Sequence, residues 1–171
     1  MLFDALDYHL IHEDPAPLYM GELPRRWEDV PARVVVNLCG VFPGGEPFGR
    51  IVHGFALIDA LDPEVMPERR QFEQFLHGIH SLAANEASYW HCHAGINRSG
   101  LAVAAYLHLH RGLRISTAIE IMRERRSEMV LCNSAFERQL RDWYGQRDER
   151  TFSPFSFETW RVERLGKREG S

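Results

Sequence analysis

Residues 89–100 read YWHCHAGINRSG, and the predicted fold rests on the junction that they contain. A short strand, Ser88–His91, precedes this junction, and an apolar helix, Arg98–Arg111, follows it and ends before Gly112. A short loop with a glycine in its interior lies between the strand and the helix. A strand that leads through a tight loop into a helix is typical of α/β proteins with parallel strands.

The segments on either side of this unit predict further strands and helices. Three earlier runs have the pattern of strands: Leu18–Gly21, 33–38 and 51–58. A first helix is predicted to begin at Pro67. A later helix is predicted to begin at a Thr117/Glu120 capping box and to end at about Arg126. Another is predicted over 135–144, after a Ser134/Glu137 capping box. This order predicts an α/β fold with a central, largely parallel sheet flanked by helices, which binds ligands at the carboxyl edge of its strands.

The composition is that of an ordinary globular protein. The 171 residues, 44% of them hydrophobic and 26% charged, suffice for one domain with a buried core. No stretch reaches the roughly 20 apolar residues of a membrane span, and the N-terminus lacks the basic segment of a secretory signal. Three dispersed cysteines are too few for a disulfide framework, so we expect a cytoplasmic protein. The net charge of −4, without a concentrated basic face, argues against nucleic acid as a partner.

The loop from Cys92 to Arg98 has the chemistry of a phosphate site. At the start of a helix, successive backbone N–H groups form a concave surface that binds a dianion. Gly95 permits an unusual backbone conformation and a close approach to the ligand. Arg98 offers a planar guanidinium group that grips two phosphate oxygens at once. The loop is therefore expected to bind phosphate.

The same surroundings make Cys92 a candidate nucleophile. A free cysteine has a pKa of about 8.5, and N–H groups at a helix start stabilise its thiolate. The thiolate would lie below a bound phosphoryl group, in line for attack, and a hydrogen bond from Ser99 would help the sulfur to depart afterwards. Taken alone, Cys92 better fits a buried structural cysteine. Together with Gly95, Arg98 and Ser99, it indicates phosphoryl transfer to cysteine.

The motif His91-Cys92-x5-Arg98-Ser99 resembles the signature loop of the cysteine-based protein tyrosine phosphatase superfamily. The small size of the chain resembles the dual-specificity branch of that superfamily. The stretch Asn133-x-x-Phe136-x-x-Gln139-Leu140 is similar to a late helix of the branch, whose first asparagine steadies the phosphate loop. The resemblance implies a similar role for Asn133, and the alternative is that Asn133 is simply a helix cap.

This resemblance covers roughly residues 17–145. It implies a single phosphatase domain over residues 1–171, with a core of about 17–145 and a C-terminal tail of about 146–171. Next to the nucleophile, His91 is expected to order the loop by hydrogen bonding rather than to act as an acid or base.

The family uses an aspartate as general acid, about thirty residues before the cysteine and on a mobile loop. Asp59 lies 33 positions before Cys92, and Asp62 lies 30 positions before it. Asp59 directly follows an apolar strand and precedes a proline-containing loop, as the acid of the family does, so the resemblance implies that Asp59 is the acid and that Asp62 forms a turn. Cys39 resembles a cysteine of the phosphatase-and-tensin branch that pairs reversibly with the nucleophile. The resemblance implies a Cys39–Cys92 disulfide under peroxide, against the alternative of an ordinary buried cysteine.

The interior of the loop bears on the substrate, and it consists of His93, Ala94, Gly95, Ile96 and Asn97. Phosphoinositide-directed relatives typically carry lysines there, and this loop has none. Ile96 is expected to form an apolar lip for an aromatic ring. We therefore expect a phosphorylated protein as the partner and phosphotyrosine as the substrate, with phosphoserine and phosphothreonine open.

Two alternatives to a protein phosphatase stay open. One is a phosphatase for inositol phosphates, phosphoinositides or RNA 5′-phosphates, and the other is a phosphate-binding module without turnover. No metal or organic cofactor is expected, because no cysteine or histidine pair has the spacing of a structural zinc site.

Overall fold

A mixed sheet forms the centre of the computed structural model, which describes residues 5–149 and 153–169. Within these residues the strands are β1 (Tyr8–His12), β2 (Leu18–Gly21), β3 (Val34–Asn37), β4 (Ile51–Gly54) and β5 (Ser88–His91). Their order across the sheet is β1-β2-β5-β3-β4. Strands β2, β5, β3 and β4 are parallel, and the edge strand β1 is antiparallel to β2. The predicted α/β fold with a largely parallel sheet is confirmed.

The helices of the described part are α1 (Arg69–Ala83), α2 (Arg98–Arg111), α3 (Ile115–Arg125), α4 (Ser134–Trp143) and α5 (Phe157–Glu169). Two short 3-10 turns, Trp27–Asp29 and Pro63–Val65, lie in the connections. Across the described residues, none of the helices has both the length and the apolar character that crossing a membrane requires.

Side chains of the sheet alternate between two faces that pack differently. One face, which includes Met20, Val36 and Trp90, joins the main core together with helices α1 to α4. The opposite face, which includes Val35 and Tyr89, packs against the turn that carries Trp27. Strand β5 lies in the middle of the sheet and all four of its residues are buried. This packing fixes the position of the residue that follows β5.

Helix α2 begins and ends where the sequence predicts. All of its residues from 99 to 107 are buried, which accounts for a sequence that is apolar on every side. The helix ends at Gly112, whose φ of +67° is the left-handed conformation that favours glycine at this position.

Strand β4 is shorter than predicted, because it ends at Gly54 and not at residue 58. Beyond Gly54, the Phe55 N–H still donates to the Asn37 carbonyl and the Leu57 N–H donates to the Leu38 carbonyl, both at 3.0 Å. The donor advances by two residues while the acceptor advances by one. The register with β3 is thereby lost, and the ladder ends.

Two helices begin elsewhere than predicted. Helix α1 begins at Arg69 rather than at Pro67, because the Glu68 carboxylate accepts the first free backbone N–H groups of the helix at 2.9 Å. Helix α3 begins at Ile115, so Thr117 lies inside the helix and the predicted capping box does not form.

Helix α4 is capped by Asn133, as one of the two interpretations of that residue predicted, and not by the pair of Ser134 and Glu137. The Asn133 side chain accepts the N–H groups of residues 135 and 136 at 3.1 and 3.4 Å. Glu137 is instead fully buried in ion pairs with Arg141 (2.8 Å) and Arg123 (2.9 Å). A buried carboxylate needs such partners, so Glu137 is not free to cap the helix.

Candidate active site

Cys92 directly follows the central strand β5, at the carboxyl edge of the sheet. It is 2% exposed and begins the loop that leads into helix α2. Gly95 in this loop has a φ of +64°, and an added Cβ would overlap the backbone of Gly21 at the end of the neighbouring strand β2. The loop therefore requires glycine both for its backbone conformation and for space.

The surroundings of the Cys92 thiol favour its ionised form. Its Sγ lies 3.5 Å from the Ser99 hydroxyl oxygen. Burial by itself raises the pKa of Cys92, but the charge of Arg98, the Ser99 hydroxyl and backbone hydrogen bonds from Ser99 and Ile96 lower it. The lowering contributions outweigh burial, so the pKa of Cys92 lies below its ordinary value.

Arg98 is the first residue of helix α2 and lines the cavity at the loop. Its Nε is buried and has no hydrogen-bond partner among the described residues. A buried guanidinium nitrogen without an acceptor is costly, so this position favours an anionic ligand. The side chain of Asn97, at the N-cap, does not cap the helix, so the N–H groups at the helix start can serve the Cys92 sulfur and a ligand.

Asp59 lines the same cavity, on the connection that follows β4. Its carboxylate accepts hydrogen bonds from the side-chain amides of Asn97 (3.2 Å) and Asn133 (2.9 Å). Asn133 also donates to the Ala60 carbonyl (2.9 Å), and its backbone N–H donates to Asn97 Oδ1 (3.0 Å). The Asn97 side chain therefore connects Asp59 to α4, which the sequence pattern did not indicate.

The other candidate acid, Asp62, is placed differently. It is exposed, and its carboxylate accepts the Glu64 N–H at 2.9 Å to cap the 3-10 turn Pro63–Val65. Both aspartates border the cavity, but Asp59 is bonded to the phosphate loop through Asn97, whereas Asp62 is bonded within its own turn.

Arg126, which no sequence pattern singled out, holds the loop from outside. Its Nε donates to the Gly95 carbonyl (3.2 Å) and its Nη2 to the Ala94 carbonyl (3.1 Å). The same guanidinium group donates to both carboxylate oxygens of Asp7, at 2.7 and 2.8 Å, and Nη1 lies 2.9 Å from His9 Nδ1. In a planar trans peptide the N–H points opposite to the carbonyl. Carbonyls directed at Arg126 therefore leave the next N–H groups directed into the loop.

Two loop residues differ from expectation. The Ile96 side chain is buried in the main core, so the expected apolar lip is wrong, although the Ile96 backbone still acts on Cys92. His91 stacks on Tyr89 with ring centroids 5.7 Å apart, and no hydrogen bond of normal geometry reaches its ring nitrogens from the described residues. Burial lowers the pKa of His91 to about 4, although the Cys92 backbone has a weaker effect that raises it. The expected ordering hydrogen bond is absent at this geometry.

Cys39 follows β3, next to the central strand. The Leu38 N–H donates to the His91 carbonyl at 2.9 Å, which brings the two chain segments side by side. Burial, with a smaller effect of Cys92, raises the pKa of Cys39, so its thiol is protonated. All three cysteines of the chain are free. The Cys39–Cys92 disulfide stays a prediction.

A cavity of about 560 Å³ lies beside Arg98 and Asp59. Its lining is formed by Asp59, Ala60, Leu61, Asp62, His93 and Arg98, and by Phe157, Glu158, Trp160 and Arg161 from α5. In the described ranges, no group of three or more histidine, cysteine, aspartate or glutamate side chains could hold a metal ion. Of these residues, the sequence patterns singled out Asp59, Asp62, His93 and Arg98, but they did not predict the contribution of α5.

Comparisons with known proteins give a family match and a set of structural matches. The profile of the family described as dual specificity phosphatase, catalytic domain, matches residues 57–146. Human DUSP28 superposes with a TM-score of 0.63 at 18% identity, over 83% of this chain and 94% of that one. The human tyrosine phosphatase-like serine/threonine/tyrosine-interacting protein superposes with a TM-score of 0.64 at 19% identity, over 81% of this chain and 96% of that one. PTPMT1 in complex with PI(5)P superposes with a TM-score of 0.57 at 18% identity, over 80% of this chain and 98% of that one. At these identities the structural matches show a shared fold.

Proposed function

The chain belongs to the family of dual specificity phosphatase catalytic domains, and from this premise we propose that it hydrolyses phosphate monoesters through a phosphocysteine on Cys92. The observation that best supports the proposal is the Cys92 thiol, with its lowered pKa, beside Arg98 at a cavity that Asp59 lines. We propose phosphotyrosine in a protein as the main substrate. A cytoplasmic setting would keep the thiol reduced.

In the first step, the Cys92 thiolate attacks the phosphorus atom of a phosphate held by Arg98 and the N–H groups of the loop. The S–P bond forms while the P–O bond to the substrate breaks, and Asp59 gives a proton to the departing oxygen. Arg98 and the N–H groups face the negative charge of the transferring group throughout.

In the second step, Asp59 has become a carboxylate and takes a proton from a water molecule, whose oxygen attacks the phosphorus. The S–P bond breaks and the sulfur leaves as a thiolate. The Ser99 hydroxyl, 3.5 Å from Sγ, stabilises this leaving thiolate, and inorganic phosphate is released. Nucleophile and acid have then returned to their starting states.

An aryl phosphate fits the loop and the cavity better than a polyphosphorylated headgroup. The loop residues 93–97 include no lysine to meet additional phosphates, and the cavity wall includes Phe157 and Trp160. PTPMT1, a structural neighbour, has been solved with PI(5)P. A phosphoinositide is therefore the alternative that a substrate panel should contain, together with an RNA 5′-phosphate.

The mechanism is tested by hydrolysis of p-nitrophenyl phosphate in EDTA between pH 5 and 8. Cys92→Ser should lose all turnover, and Asp59→Asn should lose about 10²-fold or more in kcat. Asp62→Asn is the matched control. It is an equally conservative substitution on the same loop, and the Asp62 side chain makes its hydrogen bond within its own turn and not to the phosphate loop. Equal losses in the two aspartate variants would refute the assignment of Asp59.

The substrate is tested by kcat/KM for phosphotyrosyl, phosphoseryl and phosphothreonyl peptides of one sequence, for PI(5)P and for a 5′-phosphorylated RNA. The phosphotyrosyl peptide should be preferred. A higher kcat/KM for PI(5)P or for the RNA would replace the protein substrate. Tight binding of orthovanadate without turnover of any ester would identify a phosphate-binding module.

A further inference from the structure

Helix α5 lies beyond the matched family region, which ends at residue 146, and yet it lines the cavity beside Arg98. We propose that Trp160, supported by Phe157, forms an aryl subsite that selects phosphotyrosine over alkyl phosphates. This inference rests on the proposed function, and it assigns a part of the substrate specificity to residues outside the family region.

The start of α5 is anchored to the rest of the protein. The Ser153 hydroxyl donates to the Glu128 carbonyl at 3.0 Å. Ser156 caps the helix, its hydroxyl oxygen accepting a backbone N–H of the first turn at 3.0 Å. Phe157 is 8% exposed, and Trp160 packs against the main core. These contacts make the first turns of α5 a fixed wall of the cavity.

The wall presents two aromatic rings beside the charged side chains of Glu158 and Arg161. The rings of Phe157 and Trp160 have centroids 5.5 Å apart and are tilted by 31°, a favourable geometry for an aromatic pair. Trp160 is half-buried: it contacts the main core and also borders the cavity. Leu61, which is 42% exposed, borders the cavity from the loop that carries Asp59. The cavity therefore combines a cationic phosphate clamp with apolar and aromatic walls.

Phosphotyrosine has the matching distribution of groups, a dianion at one end and an aromatic ring behind it. A phosphoserine side chain has no ring that could contact Trp160. The cavity volume of about 560 Å³ lies within the range of roughly 300–1,000 Å³ of pockets that admit small ligands. Helix α5 therefore leaves room for a substrate and acts as a wall and not as a plug.

The first experiment measures binding without turnover. Phenylphosphonate and methylphosphonate are titrated calorimetrically into the full-length protein. The wild type should bind the phenyl compound about tenfold more tightly, since one aromatic contact and its buried area contribute about this factor. Trp160→Ala should remove most of this preference, and Trp160→Phe should keep most of it. Trp160→Leu serves if the alanine variant unfolds, because it keeps apolar bulk without a ring.

Val162→Ala is the matched control, since Val162 is 69% exposed on the same helix and does not line the cavity. It should leave the ratio of the two affinities unchanged. A ratio that is equal in wild type, Trp160→Ala and Trp160→Leu would overturn the aryl subsite.

The second experiment measures kcat/KM for phosphotyrosyl and phosphoseryl peptides of one sequence. In Trp160→Ala the ratio of the two values should fall about tenfold, mainly through KM of the phosphotyrosyl peptide. An equal loss for both peptides, or a gain for both, would overturn the proposal, because the helix would then only support or obstruct the cavity. If the wild type binds both phosphonates but hydrolyses no ester, the proposed function fails while the affinity ratio still decides the subsite.

Discussion

Asn133 combines two roles that one substitution can separate. Its Oδ1 caps helix α4, and its Nδ2 donates to the Asp59 carboxylate and to the Ala60 carbonyl, both at 2.9 Å. The residue is fully buried. Asn133→Ser keeps a short oxygen that caps a helix well but removes the amide donor, whereas Asn133→Ala removes both.

The size of the effects follows from these bonds. A hydrogen bond to a charged group is worth about 1.5–3 kcal/mol, and a helix cap about 0.5–2 kcal/mol. Asn133→Ser should therefore lower the free energy of unfolding by roughly 1.5–3 kcal/mol, and Asn133→Ala by about 1 kcal/mol more. Asp59 keeps its bond from Asn97 at 3.2 Å, so part of its positioning survives. Of the ~10²–10⁴-fold that a general acid provides, we expect a loss of about 10–100-fold in either variant.

The assay compares kcat for phenyl phosphate and p-nitrophenyl phosphate at pH 6, together with unfolding in urea. Phenolate is the poorer leaving group and depends more on a proton from Asp59, so the loss should fall mainly on phenyl phosphate. The two variants should show the same fold-loss in kcat and should differ in their free energy of unfolding. If Asn133→Ser kept the wild-type rate on phenyl phosphate, Asn133 would be a helix cap alone, and the inference that it positions Asp59 would be wrong.

Three further outcomes are expected. Gly95→Ala should abolish orthovanadate binding and lower the melting temperature, because of its φ of +64° and the overlap with β2; Gly145→Ala, at +67° in open space, should leave vanadate binding intact. As the pH falls from about 6.5 to 4, the unfolded chain takes up a proton that buried His91 refuses, so stability falls by roughly 2–3 kcal/mol; His91→Asn should flatten this slope in urea unfolding. After excess peroxide, dithiothreitol should restore activity in the wild type and not in Cys39→Ser, because a Cys92 sulfenic acid without a partner thiol is oxidised further to an irreversible sulfinic acid; equal recovery in both proteins would contradict protection by a Cys39–Cys92 disulfide.

The parts of the fold that local sequence determines could be predicted. Strand β5 and helix α2 have the predicted bounds, because an apolar run, a glycine turn and the Gly112 cap lie within one short stretch. The lowered pKa of Cys92 also follows from neighbours within seven positions, chiefly Arg98 and Ser99. The rest of the loop was less accessible to prediction. Whether the Ile96 side chain faces the cavity or the core depends on packing against residues far along the chain.

Contacts between distant segments could not be predicted. Strand β1 has histidines in place of a clear apolar alternation. Asp7, directly before this strand, accepts from Arg126, which lies 119 positions further along the chain. Helix α5 has a charged sequence, and only its docking shows that Trp160 borders the cavity. A cap at Asn133 could be expected from the sequence, but its bond to Asp59, 74 positions away, could not.

The bridge from Arg126 to Asp7 also has a consequence for the order of events during folding. It joins two residues that lie 119 positions apart, and we expect a contact of such long separation to form late because closing a long loop costs chain entropy. The sheet and helices can assemble around β5 before the carbonyls of Ala94 and Gly95 receive their guanidinium partner. Phosphate affinity would then return last on refolding, after the helical signal, and a chain still being completed would be chemically silent toward the phosphorylated molecules around it.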